Sequence, residues 1–197
     1  AKKALDAGVD GLILVAAGAG GHAGMLSPFA LVGEVRKFFD GPIALSGAIA
    51  SGGAVLAAQA MGADFAYIGT RWLATEEANT APEYRDAIVG STAADVIYTN
   101  LFTGVHGNYL RRSIEAAGLD PEDLPQSDAS AMNFGSGSGS KAKAWRDIWG
   151  AGQGVGLMHD VPRVAEVVER LKRGYGDTRA RVCALALPRP FDPRSDA

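Results

Sequence analysis

The feature that most constrains this chain is a helix-then-strand unit that occurs three times in its first half. Short apolar runs at residues 11–15, 43–45 and 65–68 each follow a helical pattern and each end in a glycine-bearing loop. A repeat of roughly 25 to 30 residues is typical of βα units in a parallel sheet. The continuous run GLILV at residues 11–15 predicts a strand buried on both faces. Loops at the carboxyl ends of parallel strands build the active site in such folds, so we expect the three glycine loops to lie together.

Glycine and proline positions delimit the other predicted elements. The predicted helices cover residues 1–8, 28–39, 52–61, 80–88, 108–117, 141–149 and 161–173, and a further strand is predicted over 95–100. The sequence GSGSGS at 135–140 is typical of a flexible tether.

The predicted fold class is α/β, as the C-terminal part of a (β/α)8 barrel with a mostly helical C-terminal extension. A closed barrel needs about 250 residues, whereas only three strands of this rhythm are visible and the chain opens inside a predicted helix. We therefore expect three βα units of a barrel over residues 1–92, a helical and loop extension over 93–175, and a disordered tail over 176–197.

Composition excludes several function classes. The chain has 197 residues and a formal net charge of -3, so it lacks the basic excess of a nucleic-acid-binding protein. No apolar run approaches the roughly 20 residues of a membrane span. Cys183 is the single cysteine, which excludes an internal disulfide and a cysteine-based zinc cluster, and no other metal site is predicted. We expect a soluble cytoplasmic protein.

The first glycine loop, GAGGHAG at residues 18–24, contains the leading candidate for chemistry. Glycines let the backbone approach a ligand closely, and His22 is the only side chain in the loop that exchanges protons near neutral pH. A proton-transferring histidine and an exposed histidine in a glycine turn remain open alternatives. His106 is a minor candidate because glycine follows it, and His159 is interpreted as structural.

The second and third loops have the composition of a phosphate site. Ser46, Gly47 and Ala48 follow one strand, and Gly69 and Thr70 follow the next. Backbone N–H groups and a hydroxyl at such positions bind phosphate well, although small residues also simply permit tight turns. The dinucleotide and P-loop glycine motifs are absent.

Taken in order, GAGGHAG, LSGAIASGG and MGADFAYIGTRW resemble the nitronate monooxygenase family. The resemblance extends over about residues 1–173 and includes the later TNLFTGVHGNYLR and AWRDIWGAGQGVGLM segments. It implies an FMN-dependent oxidoreductase that converts alkyl nitronates or nitroalkanes with molecular oxygen to a carbonyl compound and nitrite.

The resemblance also implies roles for individual residues. His22 matches the family's loop histidine, which removes a proton from neutral nitroalkanes or positions a nitronate. The first loop's glycines would lie along the flavin, and the other two loops would hold its phosphate. The residues matched to cofactor-binding positions are Gly20, Gly21, Ser46, Gly47, Ala48, Gly69 and Thr70.

Two departures from the family pattern lead to further expectations. Ala48 stands where the family has glycine, so we expect a negative φ at Ala48. The family's first five barrel strands have no counterpart here, so open apolar edges should make the chain aggregate or form a homo-oligomer. Two alternative functions remain: a related FMN-dependent enoyl-acyl-carrier-protein reductase, and a non-catalytic half-barrel.

Overall fold

The computed structural model describes residues 1–127 and 146–185. Within these ranges the strands are β1 (Leu12–Val15), β2 (Gly21–His22), β3 (Ile43–Ser46), β4 (Phe65–Tyr67), β5 (Val96–Thr99) and β6 (Gly107–Leu110). The α-helices are α1 (Lys2–Asp6), α2 (Pro28–Arg36), α3 (Gly52–Ala60), α4 (Thr70–Leu73), α5 (Pro82–Val89), α6 (Arg111–Ala116) and α7 (Val164–Ala184). Two short 3-10 helices span Ala93–Asp95 and Gln153–Leu157.

The first half of the chain forms a three-stranded parallel sheet in the order β1-β3-β4. Helices α2 and α3 connect the strands and bury one face of the sheet, as the repeated sequence unit predicts. The core beneath this face is aliphatic and consists of Leu12, Leu14, Ala16, Val32, Val35, Ile43, Leu45, Ala58 and Ala63.

The opposite face of the parallel sheet is open. Ile13 and Val15 of β1 are 57% and 41% exposed, and Phe65 and Tyr67 of β4 are 62% and 54% exposed. The expectation that 11–15 is buried on both faces is therefore wrong for this chain. The physical reason is that helices cover only one side, so alternate side chains of each strand point to a surface that no described residue covers.

We expect this open face to make the isolated chain self-associate, and the substitution Phe65→Lys to reduce it. Burial of one such side chain contributes about 1.5–3 kcal/mol, so its loss should weaken association on the order of 10- to 100-fold. Size-exclusion chromatography with light scattering measures the effect, with Val182→Lys on the exposed side of α7 as a control. A compact monomer of the unaltered chain that unfolds cooperatively would contradict the prediction.

The second sheet is antiparallel and has the order β2-β6-β5. The strand predicted over 95–100 is confirmed as β5. The helix predicted over 108–117 is partly wrong, because residues 107–110 form β6 and only Arg111–Ala116 is helical. All four residues of β6 are buried between β2 and β5, and this pairing determines their conformation.

Helix α7 is longer than the sequence predicts. It runs to Ala184 instead of residue 173. The prediction of a disordered tail over 176–197 is therefore wrong for residues 176–184, which are helical. It packs against α3, where the Tyr175 hydroxyl donates to Gln59 Oε1 at 2.6 Å. No helix in the described ranges is long and apolar enough to cross a membrane.

Three predicted segments fall partly or wholly outside the described residues. The tether at 135–140, the first part of the helix predicted over 141–149, and residues 186–197 lie there. The described part of that predicted helix, residues 146–149, is not helical.

An ion pair fixes the start of β3 at the amino-terminal edge of the sheet. Asp64 Oδ2 accepts hydrogen bonds from the Ile43 amide at 2.8 Å and from Arg36 Nη2 at 2.7 Å. The Ile43 amide, followed by Arg36, lowers the pKa of Asp64. Because the folded pKa is lowered, this contribution to stability is present above the pKa of the unfolded chain and is lost as pH falls through the folded value.

Candidate functional site

The three glycine loops meet because of the register of the parallel sheet. Val15 pairs with Ser46, and Ser46 pairs with Tyr67, so the three strands end at the same level. The loops that follow open onto one cavity of about 330 Å³. This volume lies within the range of roughly 300–1,000 Å³ typical of small-molecule sites.

The cavity brings together every residue that the sequence matched to cofactor binding. Those residues are Gly20, Gly21, Ser46, Gly47, Ala48, Gly69 and Thr70. His22 follows Gly21 in β2, is exposed, and is not among the described residues that line the cavity. The structure therefore places His22 next to the cavity, on the second sheet.

A further glycine-rich segment, residues 150–156, packs against the first loop, although its sequence alone predicted no role in the site. The Gln153 amide donates to Gly18 O at 2.9 Å, and the Gly152 amide donates to Thr70 Oγ1 at 3.0 Å. A Cβ on Gly20 would lie 2.7 Å from the Gly152 nitrogen, so only glycine permits this backbone approach. The four glycines of the GAGQGVG stretch at residues 150–156 are the sequence feature that could have indicated this close backbone contact.

Two aromatic residues of the cavity were also missed as site residues. Tyr84 and Trp149 stack with ring centroids 5.2 Å apart and an interplanar angle of 12°. The Tyr84 hydroxyl donates to the Gly150 carbonyl, and burial raises the pKa of Tyr84 to about 12. This phenol therefore stays protonated at neutral pH and serves as a fixed hydrogen-bond donor.

Asn108 joins the second sheet to the first glycine loop. Its side chain is buried, and Nδ2 donates to Ala19 O at 2.7 Å. Its carbonyl accepts from the Ala151 amide at 3.2 Å. One residue of β6 thus holds both glycine segments, and removing its amide would leave a buried carbonyl without its partner.

The loop before β6 surrounds His22. His22 Nε2 lies 2.9 Å from Thr103 Oγ1, and the His106 carbonyl accepts from the Ala23 amide at 3.2 Å. The His106 ring stacks on Tyr98 at a centroid distance of 5.0 Å. Among the described residues no cluster of histidine, cysteine, aspartate and glutamate is arranged to hold a metal ion.

Ala48 adopts a left-handed backbone conformation, with φ of 54°. The expected negative φ is wrong. The adjoining Gly47 has φ of 142°, and the Ala48 amide donates to Gly18 O at 3.2 Å, so the turn toward the first loop imposes the conformation. For an alanine it costs roughly 1–2 kcal/mol.

We expect Ala48→Gly to raise the free energy of unfolding by about 1 kcal/mol, since glycine adopts positive φ without steric cost. Urea denaturation with an unchanged m-value measures the gain. Ala17→Gly in the same region is the matched control and should be neutral or destabilising. A loss of stability in Ala48→Gly would contradict the assignment of strain to this residue.

Fold and site together define the chain as a parallel α/β protein with a small-molecule cavity at the carboxyl ends of its strands. A nitronate monooxygenase family model matches residues 1–174. The chain belongs to the nitronate monooxygenase family, which is a family of oxidoreductases.

Curated relatives agree with this assignment. A nitronate monooxygenase of Paraburkholderia phytofirmans is 31% identical over 85% of this chain and 49% of its own length. A probable nitronate monooxygenase of Staphylococcus aureus is 31% identical over 60% of this chain and 37% of its own length. The chain therefore spans about half or less of the length of these relatives.

Solved structures share the fold. FabK from Thermotoga maritima has a TM-score of 0.69 at 22% identity, over 92% of this chain and 59% of that one. The nitroalkane oxidase of Streptomyces ansochromogenes has a TM-score of 0.70 at 24% identity, over 92% of this chain and 56% of that one. The α/β fold is thus that of part of a (β/α)8 barrel, as predicted.

Proposed function

We propose that the cavity binds FMN and that the complete protein oxidises alkyl nitronates or nitroalkanes with molecular oxygen, giving a carbonyl compound and nitrite. The observation that carries the proposal is the convergence of all three predicted loops on one cavity. Membership of the nitronate monooxygenase family and the name of the Streptomyces ansochromogenes relative support the substrate class.

The residues present fit a flavin nucleotide. Glycines of the three loops line part of the cavity, so backbone dipoles face it there. The side chains of Tyr84 and Trp149 line another part of it. A Cβ built on Gly69 meets no other atom within 4 Å, so a side chain there would take up open space in the cavity. The loops of Ser46, Gly47 and Ala48 and of Gly69 and Thr70 would hold the phosphate.

Bound FMN would supply the redox chemistry, accepting electrons from the substrate and passing them to oxygen. The chain's own contribution is binding and proton handling. Gly20 and Gly21 would border the flavin, the stacked Tyr84 and Trp149 would limit access of water from one side, and His22 at the rim would take the α-proton of a neutral nitroalkane or orient a nitronate.

The test is the absorbance spectrum of the purified chain after addition of FMN and removal of the excess by gel filtration. We expect a retained and perturbed flavin band. Gly69→Val should weaken FMN binding by at least about tenfold, because its side chain enters open space and the φ at this position is negative, so no left-handed backbone is required. Gly33→Ala, on the exposed side of α2, is the control.

Two outcomes would contradict the proposal. A colourless unaltered chain would show that the three loops do not suffice for the cofactor. Rapid bleaching of a bound flavin by NAD(P)H, without nitronate turnover, would favour the reductase alternative, whose fold this chain shares to a similar degree.

A further inference from the structure

A second cavity lies between the amino-terminal end of α3 and helix α7. Its volume of about 380 Å³ is within the range typical of small-molecule sites. No described residue lines both this cavity and the one formed by the three glycine loops. Arg71 and Arg170 are the charged side chains among its described lining residues, and none of those residues is acidic. The charge on this part of the wall is therefore positive.

Arg71 is a buried guanidinium whose hydrogen-bond donors are only partly used. Its side chain is 6% exposed. Nη2 donates to the carbonyl oxygens of Ala74 at 3.0 Å and Asp160 at 3.3 Å, whereas Nε is buried and has no acceptor among the described residues. A buried donor without a partner costs free energy. The fold thus leaves an acceptor to be supplied from the cavity that Arg71 lines.

The carboxylate beside Arg71 is shared with a second arginine. Asp160 Oδ1 lies 3.8 Å from Arg71 Nη2, beyond hydrogen-bond distance, while Asp160 Oδ2 lies 2.6 Å from Arg170 Nη1. Arg170 also pairs with Glu166. Burial lowers the pKa of Arg71, Asp160 opposes this effect, and the positive charge of Arg170 adds to it. Because a buried charge needs a close partner, an anion in the cavity would stabilise both guanidinium groups.

The amino-terminal end of α3 lines the same cavity through residues 51–53. Ser51 Oγ accepts from the Ala54 amide at 3.2 Å, whereas the amides of Gly52 and Gly53 have no acceptor within the helix. Free amides at a helix start and the helix dipole both favour an anion. Thr178 of α7 also lines the cavity, and a Cβ built on Gly53 would lie 3.0 Å from its Oγ1. A hydroxyl is therefore located beside these amides.

We propose that this second cavity is an anion site that binds a phosphate group. The guanidinium groups of Arg71 and Arg170 and the two glycine amides would donate hydrogen bonds to the phosphate oxygens. Another part of the wall is aliphatic and would contact an organic group attached to the phosphate. It includes Leu157, Val167 and Leu171. The site is separate from the one proposed for FMN, and its existence does not depend on the proposed function.

The test is ¹H–¹⁵N NMR of the full chain, titrated with inorganic phosphate near neutral pH and at low salt. We expect saturable shifts of the Arg71 Nε–H and of the Gly52 and Gly53 amides. Arg170→Gln should weaken phosphate binding by about tenfold or more, and its 41% exposed side chain can be replaced without emptying the core. Arg173→Gln removes the same charge from an exposed position of α7 outside the cavity, so it should change the affinity by less than about twofold.

Three results would overturn the proposal: no saturable shifts at these groups, shifts confined to Gly47 and Gly69 of the first cavity, or equal phosphate affinity of Arg170→Gln and the unaltered chain. Phenyl phosphate identifies the source of the phosphate group. Tighter binding than inorganic phosphate would support a phosphorylated small molecule, and equal or weaker binding at Gly52 and Gly53 would support free phosphate. The titration needs no flavin, so failure of FMN binding would overturn the proposed function and leave this result intact.

Discussion

Replacing Gly52 by alanine is expected to lower the free energy of unfolding by at least about 3 kcal/mol, the upper end of the usual cost of overpacking. A Cβ at this position would lie 2.1 Å from the carbonyl oxygen of Leu171 and 2.1 Å from the nitrogen of Tyr175. Both atoms belong to the backbone of α7, so no side-chain rotation relieves the overlap. Helix α7 would have to move away from α3 as a body.

Urea denaturation followed by circular dichroism measures this effect. Gly33→Ala is the matched control, because a Cβ on Gly33 meets nothing within 4 Å and alanine is favoured over glycine in a helix by roughly 0.5–1 kcal/mol. A free energy of unfolding of Gly52→Ala equal to that of the unaltered chain would show that α3 and α7 do not pack as closely as the structure places them.

His22→Ala is expected to lower kcat/KM for a neutral nitroalkane by about 10²- to 10⁴-fold, the usual contribution of a general base. The loss should be much smaller with the corresponding nitronate, from which the proton is already absent. FMN binding should change by less than about twofold, because His22 does not line the cavity.

The measurement is steady-state turnover of both substrates together with an FMN titration of the same preparations. His159→Ala is the control, since the structure places this exposed histidine away from the cavity. Equal turnover of the neutral nitroalkane by His22→Ala and the unaltered protein would end the assignment of His22 as the base. A parallel loss of FMN binding would instead indicate a structural role.

The sequence predicted the parallel sheet well because its signals are local. Apolar runs, helix-stopping glycines and the prolines at the starts of α2 and α5 each act within a few residues of the chain. The same signals failed at α7. Gly174 is typical of the end of a helix, but here it lies inside α7, which continues to Ala184. It is located where α7 packs closely against the backbone of Gly52.

The residues of the site also fall into two groups, those that local sequence signals predicted and those that only distant contacts bring to the site. The glycines and hydroxyls of the three strand-end loops were predictable as site residues, because loops at the carboxyl ends of parallel strands build the active site in such folds. Tyr84, Asn108 and Gly152 were not, since each reaches the site through contacts with residues far away in the chain.

The sequence by itself determined the alternation of strands and helices along the first half of the chain and the three glycine loops that follow the strands. It could do so because hydrophobic period and glycine placement are properties of neighbouring residues. Only the tertiary structure decided the left-handed conformation of Ala48, the open apolar face of β1 and β4, and the pairing of His22 with Thr103. Each of these depends on which distant segments pack together, and the balance of burial and hydrogen bonding that selects those partners is set by the whole fold.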